Sequence, residues 1–311
     1  MRLPDRFSTM MFVAALLCTF GARAARSSRS GLRYRCRVPA EDARPPLVAD
    51  WPDGLPVVRS ATRLPGGWVG ATWRATLADG ADVVVKRCPY PAEVEADGYA
   101  ALAAAGVPVP PVLAARGRTL VMRFVHGSPD WSAVGAAIAG MHRSTGPRYG
   151  WHRDNRAGRY PQPNGWADDW PTFFVANRVR AHLADPAVPA AFRQRLERAC
   201  DGPIQSMLPA RPPASLTHGD LWRGNVVDGR WVIDPEVSYA DRELDLAYML
   251  MSERRPLPAE FWAAYQEVWP IPPDFQSRRR VLGLHHRLLQ VRHFGAPQLE
   301  TLHADLAALG W

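Results

Sequence analysis

Lysine is nearly absent: of the 38 Lys plus Arg residues in this 311-residue chain, Lys86 is the one lysine. Arginine carries the basic charge everywhere else. Cysteine is scarce too. Cys18, Cys36, Cys88 and Cys200 are scattered, with no C-x-x-C pair and no histidine at metal-ligand spacing. That excludes a disulfide framework and a thiolate metal centre, and fits a reduced, cytoplasmic chain. No apolar run is long enough for a spanning helix, the nearest being Met10 to Phe20. There is no internal repeat.

The net charge of +8 is unevenly spread, because residues 1–50 hold nine arginines against four acids and carry +5 of it. The 261 residues that follow carry only +3. A nucleic-acid-binding domain places its basic stripe on the folded part, so neither nucleic acid nor a membrane is expected as a partner. At the N-terminus, Arg2 and Arg6 precede the apolar run and Ala22-Arg23-Ala24 follows it, an arrangement that resembles a signal peptide. The next stretch, Arg23 to Arg44, is rich in Arg and Ser and has no apolar period. An upstream extension from a misassigned start codon is therefore favoured over export, and residues 1–45 are expected to be a tail.

What is present is a hydrophobic content of 47%, enough for a sizeable core. Trp51 to Val85 is β-rich, with strands expected at Ala71 to Leu77 and Asp82 to Lys86 around an Ala-Asp-Gly turn. Ala92 to Ala105 reads as a helix closed by Gly106, and Thr119 to Val125 as a short strand. From Ser132 onward helical spacing dominates, with helices expected at Phe192 to Cys200 and Pro258 to Trp269. The expected fold is α+β and bilobal: a β-rich lobe with one main helix over 46–125, then a mainly helical lobe over 126–311.

Between the last two helices, Leu216-Thr-His-Gly-Asp-Leu-Trp-Arg-Gly-Asn225 sets a carboxylate five residues before an amide, the D-x-x-x-x-N spacing of kinase catalytic loops. Val226-Val227, an Asp228-Gly229 turn and Trp231-Val-Ile233 form an expected hairpin that would carry Asn225 and Asp234 on its open ends. Phosphoryl transfer asks mainly for positioning and charge neutralisation. Asp220 is the candidate base, and Asn225 and Asp234 are candidate Mg²⁺ ligands beside ATP. Lys86 ends a strand where a compact ammonium suits a phosphate better than a guanidinium fork. Its expected partner is Glu95 or Glu93. Gly66 and Gly67, in Gly66-Gly67-Trp-Val-Gly70, could cover the phosphates with backbone N–H groups, although such glycines are more often a simple turn.

With these residues in place, the sequence resembles the fructosamine kinase family, within the aminoglycoside-phosphotransferase branch of protein-kinase-like folds. Tyr149 to Asn155 with Pro161 to Trp170 is similar to a family-specific segment. His218 to Asn225 with Asp234-Pro235, and Tyr239 to Ala247, match the catalytic, metal and following motifs. The resemblance implies ATP-dependent phosphorylation of a ketosamine, a sugar joined to an amine by glycation, with a role in deglycation repair. By position, Glu95 is the better match to the helix glutamate. Arg123, Phe124 and Val125 fall where adenine is received by backbone groups. His218 and Asp245 brace the catalytic loop, and Trp222 lines the sugar site. Several positions depart from the family: Arg123 stands for an acidic residue, Glu236 and Arg223 for small ones, and Trp68 for the cysteine that some members carry. The rival readings are an aminoglycoside or amino-sugar phosphotransferase and a nucleotide-binding pseudokinase.

Overall fold

The computed structural model describes residues 50–65, 69–251 and 256–311. The tail expected over 1–45, Gly66 and Gly67 lie outside the described residues, and so do Trp68, Cys18 and Cys36. The chain divides into two compact units, one holding the described residues up to Ala96 with Pro110–His126, the other holding Asp97–Val109 and Gly127–Trp311.

The first unit is built on a five-stranded antiparallel sheet, β1 (Val58–Arg63), β2 (Ala71–Leu77), β3 (Asp82–Arg87), β4 (Val112–Arg116) and β5 (Thr119–Arg123), in the order β1-β2-β3-β5-β4. Strict alternation makes β2 a half-buried strand, with Ala71, Trp73, Ala75 and Leu77 all inward. Ala75, Leu77, Val83, Val85 and Val121 pack together with Trp51 and Leu55 against them. The β2–β3 hairpin closes as expected, because Gly80 takes φ 89° and its N–H donates to Leu77 O at 3.0 Å. The strand expected to run to Val125 ends at Arg123. Helix α1 (Ala92–Ala104) follows β3, with Glu93 and Glu95 in its first turn. Its residues from Asp97 onward belong to the second unit, where Gly106 (φ 80°) and the Val107 N–H bond to Leu102 O (3.0 Å) stop it.

In the second unit α2 (Trp131–Arg143) is capped by Asp130, whose side chain accepts from the Ala133 N–H. It packs on a later helix so closely that a Cβ at Gly135 would lie 2.2 Å from Phe261 O. A hairpin, β6 (Asn155–Ala157) and β7 (Tyr160–Gln162), leads into helical turns α3 (Trp170–Phe174), a π-helical stretch Val175–Arg180, and α4 (Ala181–Leu183). Then come α5 (Ala190–Ala199) and α6 (Pro203–Met207), the short strands β8 (Ser215–Thr217), β9 (Val226–Val227), β10 (Trp231–Val232) and β11 (Ser238–Ala240), and helices α7 (Glu243–Met249), α8 (Ala259–Val268), α9 (Phe275–Phe294) and α10 (Leu299–Ala308). Helix α9 is the core of this unit, with Leu282, Leu284, His285, His286, Leu288 and Leu289 all buried, so it is enclosed on most sides. Among the described residues no helix is long and apolar enough to cross a membrane.

Candidate active site

Strand β8 delivers the chain into His218-Gly219-Asp220, and β11 pairs with it antiparallel. The turn between them is obligatory glycine: Gly219 has φ 86°, and a Cβ there would sit 2.4 Å from Glu236 O. Asn225 closes a short 3₁₀ turn and directs its side-chain amide back, donating to Asp220 O at 2.7 Å and Asp220 Oδ2 at 2.8 Å. The β9–β10 hairpin turns at Asp228 and Gly229, both with positive φ, and the Ile233 N–H donates to Asn225 O at 2.9 Å. That bond fixes the two open ends of the hairpin side by side. Asp234 follows at once, itself in the left-handed region (φ 59°), with its N–H donating to the Tyr99 hydroxyl at 3.1 Å. A non-glycine residue held there carries a cost of order 1–3 kcal/mol, and such strain gathers at functional sites. Carboxylate, amide and second carboxylate are therefore brought together by local geometry.

The loop is pinned from behind. Asp245, on α7, accepts the N–H of His218 at 2.7 Å and of Gly219 at 2.9 Å, and His142 Nε2 lies 3.2 Å from it. Burial pushes its carboxyl up, but the hydrogen bonds from His142 and from the His218 N–H outweigh this and hold it below the usual range. Burial pushes the His218 imidazole below its usual range; its Nδ1 accepts the Asp220 N–H (3.2 Å) and its Nε2–H donates to Ile233 O (3.0 Å). Asparagine at 245 presents one acceptor to two backbone donors, so Asp245→Asn is expected to cost about 1–3 kcal/mol. Thermal denaturation checks it, and an unchanged melting temperature would show that the loop is held by something else.

Two further groups reach Asp220. The Tyr248 hydroxyl donates to its carboxylate. Tyr248 in turn stacks on His286 with centroids 3.8 Å apart and planes at 10°, and His286 Nε2 donates to Gly219 O at 2.7 Å. Burial pushes the Asp220 carboxyl up to about 7, and Asp234 and Asp245 add to this, while the bonds from Tyr248 and Asn225 pull the other way. Sequence reasoning missed Tyr248, His142 and the loop contact of His286. For Tyr248 a signal existed: Asp245 and Tyr248 stand three apart on one helix, so both face the same loop.

In the first unit Lys86 Nζ donates to Glu95 Oε1 at 2.7 Å, with the two side chains only 14% and 3% exposed. Glu93, the alternative, is exposed. The Glu95 Oε2 is also held, by the Tyr90 hydroxyl at 3.2 Å. At the end of β5 the Arg123 N–H donates to Pro111 O and the Phe124 N–H to Asp82 O, so both are spent on the sheet. Of the three residues expected to meet adenine, Val125 is the one whose N–H the backbone leaves uncommitted among the described residues. The Phe124 ring lies under Arg74, 4.3 Å from its guanidinium carbon.

Trp222 is half-buried, and its ring lies over Gly224, where a Cβ would come within 2.2 Å of it. Arg223 donates to Pro256 O at 3.0 Å, and its guanidinium carbon lies 5.4 Å from the Trp131 ring centre. The family-specific segment folds around buried Arg178, which donates to Pro163 O (2.8 Å), Asn164 Oδ1 (2.7 Å) and Ser238 Oγ (3.0 Å). Asn155 ties this segment to β11 through Val237 O at 2.8 Å. His286 and His293, on one face of α9, meet Tyr248 and Tyr160 respectively. No cluster of three or more metal-ligating side chains occurs among the described residues.

An antiparallel sheet bearing a lysine–glutamate pair, and a helical unit whose loop gathers an aspartate, an asparagine and a second aspartate, define a small-molecule kinase of protein-kinase-like fold. The solved structure of a thermostable mutant of the aminoglycoside phosphotransferase APH(4)-Ia shares that fold, with 19% identity over 81% of this chain and 91% of that one and a TM-score of 0.51. The fructosamine kinase family model matches residues 58–309, and the chain belongs to that family. The Escherichia coli (strain K12) protein named probable ketoamine kinase YniA is 33% identical over 263 residues, covering 79% of this chain and 91% of its own length. A solved Thermobifida fusca structure, named as a candidate fructosamine-3-kinase, is 29% identical over 82% of this chain and 94% of that chain, with a TM-score of 0.73.

Proposed function

We propose that this chain transfers the γ-phosphoryl group of ATP to a hydroxyl on the sugar part of a ketosamine, in the cytoplasm and in the service of deglycation. The observation that carries the reading is the bond of Asn225 to Asp220, which orients both residues around one point. Asp220 accepts the proton of the attacking hydroxyl, as a carboxyl lifted toward neutrality is suited to do. Asn225 commits its amide nitrogen to Asp220, leaving its oxygen with the Asp234 carboxylate as a hard, all-oxygen donor set. Such donors fit Mg²⁺, which when bound neutralises charge on the phosphates. Lys86, oriented by Glu95, contacts the phosphates, and the Val125 N–H receives the adenine edge. His218 and Asp245 keep the catalytic loop in place, and Trp222 stands beside the sugar.

The test is ATP consumption by the purified protein with Mg²⁺, against ribulosamines and fructosamines in one panel and aminoglycosides in another. Turnover on ketosamines alone is expected. Turnover on aminoglycosides would move the chain to an amino-sugar phosphotransferase, and nucleotide-dependent thermal stabilisation without turnover would make it a pseudokinase.

A further inference from the structure

Glu236 is a carboxyl that the second unit holds beside the catalytic loop and leaves half used. Its backbone is fixed: its N–H donates to His218 O at 2.8 Å, and its carbonyl accepts from Gln162 Nε2 at 3.2 Å. Its Oε1 accepts the Gly158 N–H, at the tip of the β6–β7 hairpin, at 2.7 Å. Its Oε2 is shut off from solvent and has no hydrogen-bond partner. Burial pushes this carboxyl well above the usual carboxylate range, Asp220 and Asp234 add to this, and the Gly158 N–H and Arg178 oppose it; Tyr248 lies within its influence. Arg178 is the cation among them, yet its hydrogen bonds go to Pro163, Asn164, Asn177 and Ser238. The surroundings of the base are therefore rich in carboxyls, with one oxygen of Glu236 enclosed and unmet. A buried acceptor left unsatisfied is costly and is met when a donor arrives.

What fits is a cation that brings N–H donors and approaches together with a hydroxyl for Asp220. We propose that Glu236 receives the protonated amine of the acceptor through Oε2, and so selects a sugar that carries a cationic nitrogen near its hydroxyls. This rests on the reading of the chain as a ketosamine kinase. Glu236 is a specificity-determining residue here, because it meets the amine and not the reacting hydroxyl.

The test uses two acceptors: the fructosamine of n-propylamine, which is cationic, and 1-deoxyfructose, the same ketose with hydrogen in place of the amine. Wild type is expected to prefer the first. Glu236→Gln keeps an oxygen for the Gly158 N–H and loses the charge, so KM for the fructosamine is expected to rise about tenfold or more and the preference over 1-deoxyfructose to collapse by the same factor. The KM for ATP is expected to hold. Glu236→Asp, which keeps the charge on a shorter arm, is expected to restore part of the preference; a role limited to anchoring the hairpin would give no such rescue. An unchanged preference in Glu236→Gln at an unchanged melting temperature overturns the assignment of Glu236. Wild type that phosphorylates neither ketose overturns the kinase reading and this inference with it.

Discussion

Substitution of Asp220 by alanine is expected to lower kcat by a factor of about 10²–10⁴, the range that a positioned general base contributes, while ATP binding, measured by titration calorimetry with Mg²⁺, stays nearly intact. The geometry supports this split. Asn225 would lose the bond to Oδ2 but keep its 2.7 Å bond to the Asp220 carbonyl, so the metal-facing amide stays oriented. The fold is not expected to suffer either, because burial and the neighbouring Asp234 already work against a charged carboxyl at 220. Retained turnover in this variant would remove Asp220 from the role of base.

Asp234 is expected to behave differently, with Asp234→Ala losing both turnover and metal–nucleotide affinity, the latter by tenfold or more (about 1.4 kcal/mol). The readout is thermal stabilisation by Mg·ATP, which wild type and Asp220→Ala show and this variant does not. Alanine at φ 59° adds a backbone penalty of its own. Asp234→Asn avoids this, since asparagine tolerates the left-handed region, and it is expected to lose affinity with the fold unharmed. Full stabilisation of Asp234→Asn by Mg·ATP would take Asp234 out of the metal site.

Much of this was legible because the chemistry is local in sequence. A five-residue spacing puts Asn225 on Asp220, and an Asp-Gly turn brings Asp234 back beside them; both are short-range geometry. Alternation in Ala71 to Leu77 marked β2 within the bounds found, since one face of that strand is buried and the other is not. The partner of Lys86 lay nine residues away on the next helix and could be narrowed to two candidates. Long-range contacts were not legible. His142 reaches Asp245 across 103 positions and His286 reaches Gly219 across 67, and no local pattern separates such a histidine from one that only fills the core. The end of β5 was also misjudged: Phe124 and Val125 are apolar enough to continue a strand, but the ladder stops at Arg123. The turns between Trp170 and Leu183, with their π-helical middle, gave no usable period.

The pairing of Lys86 with Glu95 has a chemical consequence for the chain itself. Glycation begins when a reducing sugar condenses with an unprotonated, accessible primary amine. Here the one side-chain amine is tied to a buried carboxylate at 2.7 Å and is only 14% exposed. The remaining 37 basic residues are guanidinium groups. A catalyst that works among sugar–amine adducts thus offers the sugar almost no side-chain amine of its own to condense with.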